Sequence, residues 1–541
     1  MAVKYPVIKD GMYCGRLSEG EKQTILNIRG ANVIPGLKNM LFDIPLELIA
    51  RSLDEGRSIR EILKEEGEDI LKYLGELRDY QTVGTAFLYA SKHSILADGV
   101  GLGKTAEIGA LINFLMEKHE MSRFLIAVET TAIAQTQIDL MRFTGLYIVA
   151  LPSEGPKMKR VIKNTDWTKV RGIIIKHGAL RSSTFYNWIS VNLRNDGKSK
   201  LFNTLIIDES SVIKNNKTKT YECVETMCDI VDRVHLMNAT VFETNIMDIY
   251  YQIDMIDKQI MPKKWRIEKK YCKYNSKTWW TKNSYGEAEL HKGWDRAKPI
   301  YKNQSSFKES LQLIYFGRCK KDVGLDRPNI YKVYKVDPSN DQALALAKGY
   351  RYMEVLNSPE NIPELNIKCN RKSVPKLERL CQLLETDFAS ESVMVYCFHL
   401  NAQDAIKNEL EAIGRKCVIL NGSDQSKDKD INRLQIMDDF NRGKYDVIIT
   451  NIKRSLNLYG GDVCIFYSME TNPSRATQIA GRIDRNVDEK LKTFILLMYG
   501  GTDEENMFKG TVQKREMDSR ELTIDAEGVI SHFMEAMEEQ E

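Results

Sequence analysis

The stretch SILADGVGLGKTAEIGALINFLMEKH, residues 94–119, decides the architecture of the chain. A short apolar run closes at Asp98, a loop carrying Gly99, Gly101 and Gly103 follows, and from Lys104 and Thr105 onward apolar residues recur at helical spacing. Glycines let backbone N–H groups close around a phosphate at a helix N-terminus, Lys104 reaches the β- and γ-phosphates, and the Thr105 hydroxyl ligates Mg²⁺. The strict phosphate-loop spacing asks for glycine where Asp98 stands, so the strand–loop–helix context carries the assignment rather than the pattern alone.

Outward from this loop, residues 76–257 alternate strand-like runs (FLIAVE, GIIIKH, TLIIDE) with amphipathic helical runs. That alternation predicts an α/β lobe around a parallel sheet, with ligand loops at the carboxyl ends of its strands. One such end is TLIIDESS, residues 204–211, where Asp208 suits Mg²⁺ and Glu209 suits polarising an attacking water. A second α/β series is expected over residues 336–510: the helix VPKLERLCQLLE, then strands VMVYCF, CVIL, DVIIT, VCIFYS and FILLMYG. Within it QIAGRIDR, residues 478–485, offers Arg482 and Arg485 three apart on an expected helix, hence on one face. Arginines so placed can neutralise charge on a γ-phosphoryl group in flight.

The 541 residues are 43% hydrophobic and 28% charged, an ordinary globular balance long enough for three or four folding units. No apolar run is long enough to span a bilayer and the first residues lack a signal-peptide core, so no membrane partner and a cytosolic location are expected. The ten cysteines include no C-x-x-C, and the nearest pair, Cys223 and Cys228, has four residues between them, which fits buried free thiols rather than a zinc or disulfide frame. The net charge is only +3, but between Lys258 and Lys335 there are 20 Lys/Arg against 7 Asp/Glu. The same stretch holds Trp265, Trp279, Trp280 and Trp294 with Tyr271, Tyr274, Tyr285 and Tyr301, the mixture that a surface for phosphates and bases needs. Residues 1–75 carry no catalytic motif; Ile59, Ile62, Leu63, Ile70, Leu71 and Leu74 predict helix there, and a small accessory domain able to bind a protein partner is expected. Residues 511–541 are expected as an acidic tail whose last helix is solvated or frayed.

In order, these segments resemble the superfamily two helicase-like ATPases, and within them the SWI/SNF-type translocases, over roughly residues 76–510. LRDYQ (residues 77–81) looks like the adenine-side Q motif, which implies a nucleotide contact for Gln81. ADGVGLGKT (97–105) is similar to the family's ADEMGLGKT, which accounts for Asp98. DESSVIKN (208–215) resembles DEGHRLKN, LMNATVFETN (236–245) resembles LTGTPLQN, and RCKKDV (318–323) resembles RRTKEDV. Further on, residues 420–441 resemble the DGSTSxxxRxxxIxxFN stretch and GTDEE (501–505) resembles GTVEE; the QIAGRIDR segment adds Gln478 to the implied nucleotide contacts. Departures fall at Ser211, where the family has histidine, at Asn238 and Val241, and in SLNLYGGD (455–462), which replaces GLGINL.

The resemblance implies an α/β fold of two RecA-like parallel-sheet lobes, 76–257 and 336–510, joined by the basic, aromatic segment 258–335. It implies ATP with Mg²⁺, hydrolysis that depends on DNA, and translocation on a duplex that remodels DNA or nucleoprotein. A compact prokaryotic or viral member is expected, acting at the nucleoid or in a host cytoplasm. Two alternatives stay open: a helicase that remodels forked DNA or migrates branches, and a nucleotide-gated clamp or RNA polymerase recycling factor, the latter motivated by the altered motifs.

Overall fold

The computed structural model describes residues 18–29, 34–193, 201–239, 247–256, 264–273, 276–282, 288–294, 300–303, 311–421, 429–452, 456–470, 472–484, 490–512 and 529–539. Arg485 and Val241 lie outside these residues. The chain divides into two compact units, the main break falling between residues 318 and 319 and Val100–Leu102 grouping with the second.

The first unit opens with a small antiparallel pair, β1 (Leu41–Phe42) and β2 (Leu74–Gly75). Its main strands are β3 (His93–Leu96), β4 (Phe124–Val128), β5 (Ile148–Ala150), β6 (Gly172–Lys176), β7 (Thr204–Ile207) and β8 (Arg233–Met237). These include the apolar runs read from the sequence, shortened at their carboxyl ends and with β3 starting one residue earlier, and β5 and β8 are added. Short pieces β9 (Cys272–Lys273), β10 (Ser276–Lys282), β11 (Ala288–Trp294) and β12 (Ile300–Tyr301) form two antiparallel pairs, β10 with β11 and β9 with β12. The chain then returns as β13 (Tyr315–Phe316), which pairs in parallel with β3. The resulting sheet has seven strands in the order β13-β3-β8-β7-β4-β6-β5, parallel throughout. Strands buried on both faces need apolar residues at nearly every position, as in the fully buried run Phe124–Val128 and in Thr204–Ile207, where Thr204 alone is polar.

The second unit holds β14 (Ile330–Val336), β15 (Val393–Tyr396), β16 (Cys417–Leu420), β17 (Val447–Thr450), β18 (Val463–Phe466) and β19 (Thr493–Tyr499). Their order is β14-β19-β18-β15-β17-β16, again all parallel. Side chains alternate across the sheet, so Met394, Ile448, Cys464 and Leu496 enter one core while Val393, Val395, Ile449 and Ile465 enter another on the opposite face. The two parallel-sheet α/β lobes expected from the sequence are therefore present.

Three expected boundaries change. Residues 1–75 were expected as a separate accessory domain, but Ile25, Ile28, Phe42, Ile49, Ile59 and Leu63 enter the same core as β3–β8. Polar contacts fasten them further: Arg60 donates to the Thr144 carbonyl and to Asn113 Oδ1, both at 3.0 Å, and Asn113 Nδ2 donates to the Met40 carbonyl at 2.7 Å. The segment 258–335 was expected as one inter-lobe unit, yet it contributes an edge strand to each sheet, β13 to the first and β14 to the second. The final helix, Val529–Glu538, was expected to be solvated; instead Val529, Ile530, Phe533, Met534 and Met537 are buried. Tyr331 of β14 stacks on His532 at 4.5 Å and meets Phe533 edge-on at 5.7 Å. The acidic residues of this helix mask an apolar face at helical spacing.

Candidate functional site: a phosphate loop and a carboxylate pair

Because the first sheet is parallel, β3 and β7 end on the same edge, separated only by β8. β3 delivers the glycine loop and β7 delivers Asp208 and Glu209. The loop turns through Gly101 (φ +87°) and Gly103 (φ +86°), left-handed conformations that an L side chain rarely adopts. Gly103 caps the helix Lys104–Glu117, whose first turn leaves backbone N–H groups free of intrahelical partners. A Cβ on Gly103 would stand 2.5 Å from Gln81 Nε2, so the glycine also makes room for the glutamine beside it. Gln81 is held at the start of the helix Asp79–Ser91, its Oε1 accepting from the Arg78 N–H at 3.1 Å. Lys104 Nζ donates to the Asp98 carbonyl at 2.6 Å. Thr105 is the second residue of the loop's helix, and Gly99 N–H donates to the Arg318 carbonyl at 2.8 Å.

At the end of β7, Glu209 N–H donates to Asp208 Oδ1 at 3.0 Å, and Glu209 itself sits at φ +49°. A non-glycine residue in that region costs free energy that the surroundings must supply, a frequent property of active-site turns. His177 Nε2 lies 2.8 Å from the Asp208 carbonyl; a carbonyl only accepts, so the ring N–H points at it. Ser210 donates to Gln252 Oε1 at 2.6 Å in a buried contact. Burial, and next the charge of Glu209, push the Asp208 carboxyl up to about 7, with Lys104 pulling the other way. A carboxyl buried beside a second acidic side chain suits the oxygen-donor chemistry of a divalent cation.

Around Asp98 the first unit contains a buried ionic cluster. Asp98 and Glu107 have fully buried side chains, and the Arg318 guanidinium bonds both. Its Nε donates to Asp98 Oδ1 at 3.2 Å and its Nη2 to Glu107 Oε1 at 2.8 Å; it also bonds Asp98 Oδ2 and the Tyr80 carbonyl. Burial, reinforced by the charge of Asp98, drives the Glu107 carboxyl well above the usual range. Sequence reading quoted Arg318 within RCKKDV without giving it a role and passed over Glu107 and His177; a lone acidic residue in an apolar helical run, LINFLME preceded by Glu107, was the available signal.

In the second unit the helix Pro473–Ala480 stops before Arg482, which lies in the following turn rather than on the expected helix, and Arg485 falls outside the described residues. Gly481, poor in helix propensity, follows directly. Arg482 is buried and donates to the Leu456 carbonyl at 3.2 Å, tying this turn to the altered LNLYGG segment; Gln478 is buried on the preceding helix. Asp484 is bonded by Lys320 and, at 3.3 Å, by Asn329.

Matches to family descriptions cover both units. Residues 80–336 match the SNF2-related domain and residues 375–487 match the helicase conserved C-terminal domain. The chain belongs to the SNF2-related, helicase-type ATPases. Among the relatives of this ATPase, the SWI/SNF chromatin-remodeling complex subunit snf22 of Schizosaccharomyces pombe is 21% identical, over 91% of this chain and 31% of its own length. The DNA excision repair protein ERCC-6-like of Bos taurus is 26% identical over 40% of this chain and 18% of its own. The SWI/SNF-related matrix-associated actin-dependent regulator of chromatin subfamily A-like protein 1 of Xenopus laevis is 23% identical over 76% of this chain and 41% of its own. The ATPase thus spans about a third or less of the first of these relatives. A solved structure, the Sulfolobus solfataricus SWI2/SNF2 ATPase core in complex with dsDNA, is similar with 16% identity and a TM-score of 0.38, covering 83% of this chain and 96% of that one.

The basic segment presents part of its aromatic content to solvent. On the helix Lys264–Tyr271, Ile267 and Tyr271 are buried while Trp265 is 56% exposed, with the Arg266 guanidinium 5.3 Å from its ring. Among the described residues no cluster of His, Cys, Asp and Glu has the makings of a structural metal site, and no helix is long and apolar enough to cross a membrane.

Proposed function

We propose that the protein is an ATP-driven motor that translocates on double-stranded DNA and couples hydrolysis to remodelling of DNA or nucleoprotein. The observation that carries this is the pairing, on one edge of a parallel sheet, of a glycine loop at a helix N-terminus with the Asp208–Glu209 turn, in a chain of the SNF2-related family. Backbone N–H groups of the loop and Lys104 bind the phosphates, which requires Lys104 to exchange the Asp98 carbonyl for phosphate oxygens. Thr105 and Asp208 would hold Mg²⁺, which would supply positive charge against the phosphates. Glu209 orients and deprotonates the attacking water. Gln81 and Gln478 serve nucleotide recognition. Arg482 and Arg485 serve to neutralise charge on the γ-phosphoryl group, and Arg482 is held by its bond to the Leu456 carbonyl. The exposed Trp265 beside Arg266 and Lys264 supports a nucleic-acid surface, since aromatic faces stack on bases while cations neutralise phosphates.

Steady-state hydrolysis measured without nucleic acid and with duplex DNA, single strands, forks and RNA tests this, with Lys104→Ala as the blank. Strong stimulation by plain duplex, followed by displacement of a triplex-forming strand, is the expected result. Glu209→Gln should still bind ATP while losing turnover by about 10²-fold or more. Preference for forks would instead favour a fork-remodelling helicase, and hydrolysis with no strand displacement a nucleotide-gated clamp.

A further inference from the structure

The cluster around Arg318 is not explained by the chemistry above. Asp98 stands at the mouth of a loop meant for a polyanion, and Glu107 lies one helical turn into the helix that the loop caps. Two fully buried carboxylates beside a triphosphate site oppose its binding unless something neutralises them and fixes where they point. Arg318 closes the Gly103–Arg318 stretch of the first unit, two residues after β13, and its side chain is 12% exposed. Its backbone carbonyl accepts from Gly99 N–H, its fork spans both oxygens of Asp98, and it reaches Glu107 and the Tyr80 carbonyl at the residue before Gln81. Its guanidinium also lies over the rings of Phe316, at 4.6 Å, and Tyr80, at 5.3 Å. A Cβ on Gly84 would come within 2.7 Å of Arg318 Nη2, so glycine at 84 gives the guanidinium its room.

We propose that Arg318 is the positioning residue of the nucleotide site: by clamping Asp98, Glu107 and the Tyr80 carbonyl to one guanidinium, it sets the loop and Gln81 in register for ATP. The inference rests on the ATPase function proposed above. Lys104 is anchored on the backbone carbonyl of the residue whose side chain Arg318 holds, so a shift of the main chain at Asp98 moves the lysine's resting point as well. Only a planar guanidinium serves the carboxylate pair and the carbonyl together; an ammonium carries the charge without the fork.

The test uses the full chain with Arg318→Lys and with the charge-neutral triple variant Arg318→Gln, Asp98→Asn, Glu107→Gln. Melting temperature, affinity for a fluorescent ATP analogue, and KM and kcat for ATP are read for each. The expected result for Arg318→Lys is a folded protein whose KM for ATP rises about tenfold or more while kcat falls far less, the signature of a displaced binding loop. The triple variant, relieved of unpaired buried charge, should recover its melting temperature but not its nucleotide affinity. A folded Arg318→Lys with unchanged KM, or a triple variant restored in both stability and affinity, overturns the positioning role. A wild-type chain that neither binds nor hydrolyses ATP overturns the ATPase function itself and this role with it, whereas an active wild type beside an unaffected Arg318→Lys overturns this role alone.

Discussion

Asp208 shows how much of a site's chemistry is set by surroundings that sequence does not print. Its identity and its place at a strand end were legible, because TLII needs only local periodicity; its carboxyl rising to about 7 was not, because that comes from burial and from the Glu209 turn. A folded-state value above the unfolded one, near 4, means that the folded chain binds the extra proton between those limits. Stability should therefore fall as pH rises from about 4 to about 7. Asp208→Asn keeps an acceptor for Glu209 N–H and removes the titration, so it should stabilise the protein at pH 8 relative to wild type by roughly 1–3 kcal/mol and by much less at pH 5. Thermal melts of both proteins at the two pH values check this, and equal differences would contradict it.

Lys376 is a second residue whose role was invisible in sequence. It reads as a polar position on the helix Pro375–Glu385, yet its side chain is fully buried, bonded to Glu504 at 2.9 and 3.0 Å and to Asn357 Oδ1 at 3.1 Å. Burial lowers its pKa from the usual lysine value against the pull of Glu504. Lys376→Met alone should cost about 3–5 kcal/mol by stranding the carboxylate, and adding Glu504→Leu should restore much of the loss. Denaturant unfolding of both variants gives the answer.

Among elements, the strands were the most legible because an apolar run buried on both faces has few alternatives. Helix ends were less so: the QIAGRIDR run lacks a stop signal other than Gly481, and the helix ends at Ala480. The C-terminal helix misled through composition, since Glu535 and Glu538 and the acidic residues that follow draw the eye, while Phe533 and its neighbours repeat at three-to-four spacing. Phe533 packs edge-on against both Tyr331 and Phe466, each at 5.7 Å. Phe533→Ala should therefore destabilise the second unit by about 3–5 kcal/mol, seen as early loss of its tertiary signal on heating, whereas a solvated helix would tolerate the change.

For the whole molecule, the two-lobe plan followed from the order of motifs, but the domain boundaries did not, because they depend on which distant strands pair. The N-terminal segment is the clearest instance. Arg29 donates to the Gln312 carbonyl at 2.7 Å and lies over the rings of Phe87 and Phe316, and eight apolar side chains between Ile25 and Leu63 fill the first core. A chain beginning at Leu77 should consequently be insoluble or melt more than about 10 °C lower, rather than behave as an intact ATPase lacking a partner-binding module. Expression and melting of that truncation decide between the two.

The return of β13 to the edge of β3 also dictates a schedule for synthesis. Arg318 and Asp98 are 220 residues apart in the chain. At a ribosomal pace of about 5–20 residues per second, the edge of β3 waits on the order of 10–40 s for its neighbour. Over the same interval Asp98 and Glu107 are translated without the arginine that neutralises them. The first lobe cannot finish folding before the basic, tryptophan-rich segment has emerged, so the nascent chain passes through a long window in which a strand edge stands open, and the β10–β11 hairpin joins it only near the close.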